Sequence, residues 1–470
     1  MIVPGGEGPL GARLAAAGGR PISVPGLRWW CGPAALPAPE VDRRLAEGVA
    51  ATTGPVLEAL AAANPSVLLS LTTVAPWGAL AAALSGRPHV WYVTDFGERG
   101  DGFRYAVPFE AVLQSFTVVS NEVLVVSRAV RERLFPEAAG GDRPGDSRGP
   151  TVVYPHLQVP DGSDAPVPSP FRRPGSLKLG IFGSIRESKG QVTALEALAE
   201  LRRRGLDAEL VVVGTFDDGY QAVLEERIRD LGLTEDVIVA GPVEDQYAYM
   251  RAVDVVLVSS RSETFSLVSL EAMLLEKPLV ASPVGGIVEF LSPGVNGFVA
   301  APDRPLELAD RVEEIARDPE AAREMARVAR REAEERFTVG GFGGAVHESL
   351  ARAAARGAAS GPRALPPALA EVLVRALVVG QRRLAEARET ASARQADLAR
   401  AARELAEKEL ALVEAHRGLQ RLESTAGVRL LLRYWSWVER LAPEGSGRRR
   451  LYRRLLRGLV RAQSRPSSRR

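Results

Sequence analysis

The chain has 470 residues, enough for two domains with extra elements, and its 46% apolar content is that of ordinary globular protein. A single cysteine, Cys31, excludes an intramolecular disulfide framework and a cysteine-built zinc site, and suits a reducing compartment. The formal charge of +2 hides a division, because residues 426–470 hold 13 arginines against 2 glutamates, or +11, which leaves −9 on the rest. No secretory leader is legible at the N-terminus, so a cytoplasmic location is expected.

In chain order, Gly6-Glu-Gly8-Pro-Leu-Gly11 matches the dinucleotide pattern G-x-G-x-x-G. Only Met1-Ile-Val-Pro and one further glycine precede it, too few for the strand that launches such a turn, so it reads as a turn before a helix at Pro9–Ala17. The uncharged stretch 61–86 has the length of a membrane span, but Asn64, Pro65, Pro76 and Gly78 divide it into strand, loop and helix. Strands are predicted at Ser66–Leu71, His89–Val93 and Glu122–Val126, with helices at Trp77–Leu84 and Arg128–Leu134. This βαβ rhythm predicts a parallel, doubly wound sheet. Asp95 and Glu98 follow a strand end, where open α/β sheets bind ligands; either could instead cap the next helix. Residues 136–174, rich in Gly, Pro, Asp and Ser around the apolar island Thr151–Tyr154, have linker composition, and His156 within them reads as structural.

The second domain is predicted to open with a strand at Leu177–Phe182, a loop Gly183-Ser184-Ile-Arg186-Glu-Ser-Lys189-Gly190, and a helix through Leu201. Strands at Glu209–Val213 and Asp236–Ala240 follow, then Gly241-Pro-Val243. The apolar run Asp254–Val258 reads as a buried parallel strand. It leads into a polar turn holding Glu263, and a helix is predicted from Phe265 to Leu275 with Glu271 inside it. Such a helix start, at Phe265, Ser266 and Leu267, offers free backbone N–H groups and a positive dipole end that suit a phosphate. Glu263 would reach hydroxyls on one side of that phosphate and Glu271 a ribose diol on the other, which fits a sugar, a diphosphate and a nucleoside in line. Alone, two glutamates eight residues apart more often form a solvated helix face. Further strands at Pro278–Ala281 and Gly297–Ala300 and helices at Leu306–Arg317 and Pro319–Phe337 complete the domain.

Glu263, Phe265, Glu271-Ala272-Met273, Pro278, Gly285-Gly286, Glu289 and Asn296-Gly297 in this order resemble the retaining GT-B glycosyltransferases of family 4. The resemblance implies two Rossmann-like domains facing a cleft: an acceptor-side domain at 1–155 and a nucleotide-sugar domain at 156–345. It identifies Lys189-Gly190 with the family's Lys-Gly. Ser184 stands where an arginine is usual, and Arg186 is the candidate substitute. Lys189 and Arg186 would face the departing diphosphate, a placement that stabilises charge as the sugar bond breaks. The backbone at Val243 would meet the nucleobase, Glu263 the sugar, and Asp95 and Glu98 the acceptor. Thr264 and Ser266 replace common glycines. Gly8-Pro-Leu10 matches a segment that follows the family's second strand, so the first βαβ unit is expected to be absent. No D-x-D pair is present, and no metal or other cofactor is expected; the nucleotide-sugar is the substrate.

Beyond a linker at 346–368, leucines or alanine at 384, 391, 398, 405, 412 and 419 recur every seven residues within a helical stretch at 369–424. This suggests a coiled coil and a homodimer through 384–422, although the second seam is poor and a single helix folded on the body is the alternative. Residues 425–470 interleave leucines, Trp435, Trp437 and Tyr452 with arginines in two helices. Such cationic amphipathic helices bind anionic membranes, here the inner face of the cytoplasmic membrane. Nucleic acid would accept the charge, but the leucine and tryptophan content favours lipid; docking onto the acidic body is the other reading. The expected activity is sugar transfer to a glycan or lipid-linked acceptor in surface polysaccharide synthesis. A catalytically weak scaffold at the membrane is the alternative.

Overall fold

The computed structural model describes residues 2–4, 9–20, 22–24, 31–33, 55–97, 103–105, 108–138, 149–160, 170–217, 219–357, 426–441 and 445–450, with isolated residues elsewhere. The protein divides into two compact units, Met1–Arg382 and Arg383–Arg470. Glu98 lies outside the described residues, as does the heptad stretch 384–422 apart from isolated positions.

In the first unit a β–α–β element comes first: β1 (Ile2–Pro4), α1 (Pro9–Ala16) and β2 (Ile22–Val24), with β1 and β2 parallel and, among the described residues, paired only with each other. Ile2–Pro4, ahead of the glycine run, do therefore form a strand, contrary to the sequence expectation. Strand β3 (Cys31–Pro33) pairs antiparallel with β6 (Phe103–Tyr105). The main N-terminal sheet is parallel and runs β4-β5-β7-β8, built from β4 (Leu68–Leu71), β5 (His89–Val93), β7 (Glu122–Val125) and β8 (Thr151–Val152). Strand β4 starts two residues later than predicted. Helices α2 (Trp77–Ser85), α3 (Phe109–Val119) and α4 (Arg128–Leu134) connect these strands, and α2 stops at Gly86 with φ of 67°. The "span" 61–86 is thus resolved into helix end, strand, loop and helix. Among the described residues no helix is long and apolar enough to cross a membrane.

The second sheet has six parallel strands in the order β11-β10-β9-β12-β13-β14. They are β9 (Leu177–Phe182), β10 (Ala208–Val213), β11 (Val237–Gly241), β12 (Val255–Val258), β13 (Leu279–Ala281) and β14 (Phe298–Val299). All four residues of β12 are buried, as a central parallel strand with both faces covered requires. Helices α5 (Gln191–Arg203), α6 (Tyr220–Asp230), α7 (Gln246–Ala252) and α8 (Leu267–Leu274) alternate with the strands. Helix α8 begins two residues after the predicted start. The strand order reverses between β9 and β12, so the loops that follow these two strands emerge side by side, which is where such sheets bind ligands.

Helices α9 (Pro305–Arg317) and α10 (Pro319–Arg336) each start with proline at the first turn, and Asp318 caps α10 by accepting from Ala321 N. Helix α11 (Val339–Gly357) returns to the N-terminal sheet. There Phe342 lies 6.0 Å from the Tyr92 ring, and Gly357 packs so closely on Pro88 that a Cβ would sit 2.0 Å from its Cγ. The expected doubly wound α/β architecture, with two parallel sheets in sequence, is therefore present.

In the second unit, α12 (Ala426–Leu441) exposes Tyr434, Trp437 and Leu441 at 45%, 60% and 51%. Their spacing of three and then four residues places them on one face. Arg433 and Arg440 are exposed on the same helix.

Candidate functional site

The loop leaving β9 is held at both ends. Gly183 N donates to Val213 O at 3.0 Å, and Ile185 is fully buried with its N–H on Thr215 O at 2.8 Å. Between these anchors Ser184 is exposed, and its carbonyl accepts from Gln191 Nε2 at 2.9 Å. A tight turn at Glu187–Lys189 then delivers the chain to Gly190, which has φ of 71° and lies against the neighbouring loop; a Cβ there would sit 2.0 Å from Ser259 O. Only glycine fits, which explains the Lys-Gly pairing physically.

The loop leaving β12 lies alongside. Arg261 N donates to Ser188 O at 2.8 Å and Ser259 Oγ to Gly190 O at 2.8 Å. These bonds bring Lys189 Nζ to 2.7 Å from Glu263 Oε1, which also accepts from Ser260 Oγ at 2.7 Å. Glu263 is only 10% exposed and Lys189 21%, so the pair is substantially shielded from water. Nearby, the Nε of Arg186 is buried without a hydrogen-bond partner among the described residues. A buried guanidinium N–H left unsatisfied costs about 1–3 kcal/mol, so it is a donor in want of an acceptor. Gly285, at φ of 54°, lies under Glu263; a Cβ there would be 1.5 Å from Glu263 O.

The predicted phosphate platform differs in detail. The Phe265 ring is buried among Tyr154, Phe290 and Phe337, with centroids 5.8, 5.1 and 5.3 Å away, so Phe265 anchors the loop through its side chain and leaves only its backbone to a ligand. Ser266 takes φ of 75° and caps α8, its Oγ accepting from Ser269 N at 3.3 Å. This left-handed conformation is the one glycine adopts freely and serine at a cost of about 1–2 kcal/mol. The N–H groups of Leu267 and Val268 open the helix, where no intrahelical partner exists. Val268 Cγ2 would be 3.7 Å from a Cβ placed on Gly183, so the first turn of α8 packs beside the β9 loop.

Glu271 is 5% exposed on α8. Its Oε1 accepts from Gln246 Nε2 at 2.9 Å and from Tyr247 OH at 3.2 Å, both on α7. Burial pushes its carboxyl up to about 7, with the two hydrogen bonds offsetting part of the rise. Burial and the same carboxylate push the Tyr247 hydroxyl up to about 12. Val243, partly buried, precedes α7, whose first turn Asp245 caps through Ala248 N at 3.1 Å. Glu263, Lys189, Arg186, Gly183, Ser184 and the α8 start are thus brought to neighbouring loops, with Glu271 and Val243 on the adjoining elements. Gln246 and Tyr247 were not singled out by the sequence; their only signal is a polar pair just after a strand end.

Asp95 has a different place. Its Oδ2 accepts from Thr72 Oγ1 at 2.5 Å and Thr73 N at 2.9 Å, while its Oδ1 accepts from Gly97 N at 3.1 Å and from Thr73 Oγ1. It ties the loops after β4 and β5 together, including Thr72 at φ of 67°. An acceptor hydroxyl would have to displace one of these donors. His156 Nδ1 contacts Phe337 O at 2.7 Å, in keeping with a structural role.

Residues 169–332 match the profile of the family described as Glycosyl transferases group 1. The chain is 36% identical over 146 residues to an alpha-D-kanosaminyltransferase of Streptomyces kanamyceticus, covering 31% of this chain and 37% of that protein. It is 32% identical over 166 residues to a D-inositol 3-phosphate glycosyltransferase of Paenarthrobacter aurescens (strain TC1), covering 34% of this chain and 41% of the relative. The matched segment thus spans about two fifths of these curated relatives. The crystal structure of Anabaena HepE in complex with UDP and glucose superimposes with a TM-score of 0.58 at 22% identity, covering 74% of this chain and 91% of that one. This likeness, over 74% of the chain, bears out the GT-B fold.

Proposed function

We propose, from the premise that residues 169–332 belong to the glycosyl transferases group 1 family, that the chain moves a sugar from a nucleotide-sugar to a glycan or lipid-linked acceptor. The observation that carries this reading is the Lys189–Glu263 pair beside the unsatisfied Arg186 Nε, at the switch point of the sheet and next to the start of α8. The arrangement supports a donor lying with its sugar at Glu263, its diphosphate between Arg186, Lys189 and the α8 amides, and its ribose at Glu271. The nucleobase would sit by the Val243 backbone. In the reaction, the bond from the anomeric carbon to the diphosphate breaks and the electron pair leaves with the diphosphate. Arg186 and Lys189 stabilise that charge. The acceptor oxygen bonds to the same face of the anomeric carbon, and its proton passes to the departing phosphate oxygen, so configuration is retained. No metal is needed in this scheme.

The test is direct. Purified protein is screened by thermal shift against UDP-glucose, UDP-N-acetylglucosamine and GDP-mannose, and any stabilising donor is followed for turnover and, by NMR, for the anomeric configuration of the product. Absence of stabilisation by every nucleotide-sugar overturns the reading; an inverted product overturns retention alone. The second reading, a catalytically weak scaffold, is favoured by exposed Ser184, which puts no cation at a position facing the diphosphate. Binding of a donor without turnover would select it.

The tail supports attachment at the inner face of the cytoplasmic membrane, near the site of surface polysaccharide synthesis. Exposed Tyr434, Trp437 and Leu441 on one face of α12, flanked by arginines, suit the headgroup region of an anionic bilayer. Flotation with phosphatidylglycerol vesicles should require residues 426–470. Equal flotation of the shortened chain refutes this role, and competition by nucleic acid but not by lipid would reassign the charge.

A further inference from the structure

The loop that holds Glu263 is gripped by the N-terminal half of the first unit as well as by its own sheet. Ser127, which caps α4 by accepting from Val130 N at 3.1 Å, donates through the same Oγ to Thr264 O at 2.6 Å. Glu289 reaches the same helix start: its Oε1 accepts from Ala129 N at 2.9 Å, and its Oε2 from Arg128 N at 3.0 Å and Tyr154 OH at 2.7 Å. The Arg128 Nε lies 3.4 Å from the carboxylate, which is only 4% exposed. These partners are separated by more than 130 residues in sequence, so the contacts are a joint between the two sheets of the unit.

Glu289 ends the short turn Gly285–Glu289, and the start of that turn lies under the Glu263 loop. Gly286 N donates to Glu263 O at 3.3 Å, and a Cβ on Gly286 would fall 2.5 Å from Thr264 O and 3.1 Å from Ser127 Cβ. The backbone of Glu263–Thr264 is therefore clamped between Gly285-Gly286 on one side and Ser127 on the other. Burying a carboxylate under four donors is stabilising because its acceptors are satisfied, and each donor lost leaves part of the desolvation cost uncompensated.

We propose that Ser127 and Glu289 are positioning residues that register the Glu263 loop against the N-terminal half of the molecule. They do not touch the donor; they set where its sugar is presented relative to the opposite sheet. The catalytic consequence rests on the glycosyltransferase reading above, whereas the registration itself does not. Glu271, Gln246, Arg186 and the α8 start belong to the C-terminal sheet, so nucleotide binding is left in place when the joint is loosened.

Full-length wild type is compared with Ser127→Ala, Ser127→Thr, Glu289→Ala and Glu289→Gln, by hydrogen exchange of amides 259–269 with amides 208–213 as internal reference. The same proteins are assayed for UDP affinity and for turnover of whichever donor the wild type accepts. Exchange at 259–269 should rise several-fold in the two alanine variants and stay unchanged at 208–213. Turnover should fall tenfold or more in Glu289→Ala, with UDP affinity within twofold of wild type. Threonine at 127 should restore both readouts, and glutamine at 289, which keeps one acceptor oxygen, should restore them in part. Unchanged exchange at 259–269 in both alanine variants overturns the registration. Faster exchange at both sites, or a loss of UDP affinity that parallels the loss of turnover, reduces the joint to general stability and also overturns it. If the wild type binds and turns over no nucleotide-sugar, the functional reading fails, and the exchange pattern alone decides the registration.

Discussion

Glu271→Gln is expected to stabilise the protein at pH 8 while weakening its hold on a nucleotide-sugar. The carboxyl is pushed from its ordinary 4.5 to about 7 by burial, so holding it ionised at pH 8 costs about 3 kcal/mol. Below pH 4.5 the group is neutral in both folded and unfolded chains and contributes nothing. Between 4.5 and 7 the folded chain keeps a proton that the unfolded chain has released, so wild-type stability falls as pH rises; above 7 the full cost is present. Glutamine carries no such cost, and its carbonyl oxygen still accepts from Gln246 Nε2 and Tyr247 OH. Urea denaturation should therefore give similar midpoints for the two proteins at pH 4.5 and a clearly higher one for the variant at pH 8. Ribose hydroxyls donate to the ionised carboxylate, so wild-type affinity for UDP-glucose should fall about tenfold from pH 8 to pH 6. In the variant it should be weak and flat over that range. A variant no more stable than wild type at pH 8, or a gain of equal size at both pH values, refutes the reasoning about burial. A wild-type affinity without pH dependence refutes the assignment of Glu271 to the ribose.

Removing one cation from the diphosphate site, by Lys189→Ala or Arg186→Ala, should lower single-turnover rates about 100-fold, equivalent to about 3 kcal/mol of barrier; a change under threefold in both would dismiss them. Ser266→Gly should raise the unfolding free energy obtained from urea denaturation by about 1 kcal/mol through relief of its left-handed backbone, because glycine gives up only a few tenths as a cap. Gly285→Ala should destabilise by about 3 kcal/mol or more, since its Cβ would displace the Glu263 carbonyl. Thermal melting of the soluble fraction checks this, and a melt within a degree of wild type contradicts it.

The parts of this protein legible in its sequence are those written locally. The all-apolar run of β12, the glycine at 190 and the prolines opening α9 and α10 each report their own backbone environment, so both sheets and the site loops could be drawn from residue order. The resemblance carried by Glu263 to Gly297 added the assignment of the cations. What the sequence did not disclose depends on distant neighbours. The backbone N–H groups at Phe265 were read as part of a phosphate platform, but the packing of its ring against Tyr154, Phe290 and Phe337 was not foreseen, because those residues lie far from it along the chain. Asp95 was read as facing an acceptor, but the threonines that occupy it belong to the loop of another strand. Glu289 stood in the motif without a role until α4 was seen to supply its donors. The strand at 2–4 was missed because its partner, at 22–24, is equally short and carries no pattern of its own.

The contact between Lys189 and Glu263 has a bearing on traffic through the cleft. Since the ammonium is already neutralised, a stray inorganic anion gains little by entering, because capturing the lysine would strand a shielded carboxylate. On the proposed reading, an intact nucleotide-sugar would compensate both partners at once, its phosphates replacing the carboxylate and its hydroxyls replacing the ammonium. Once the sugar has gone, only Ser260 Oγ would still donate to the carboxylate, and its recapture of the lysine would favour eviction of the spent nucleotide. In that reading the resting ion pair would act as a two-key lock on entry and a spring on exit.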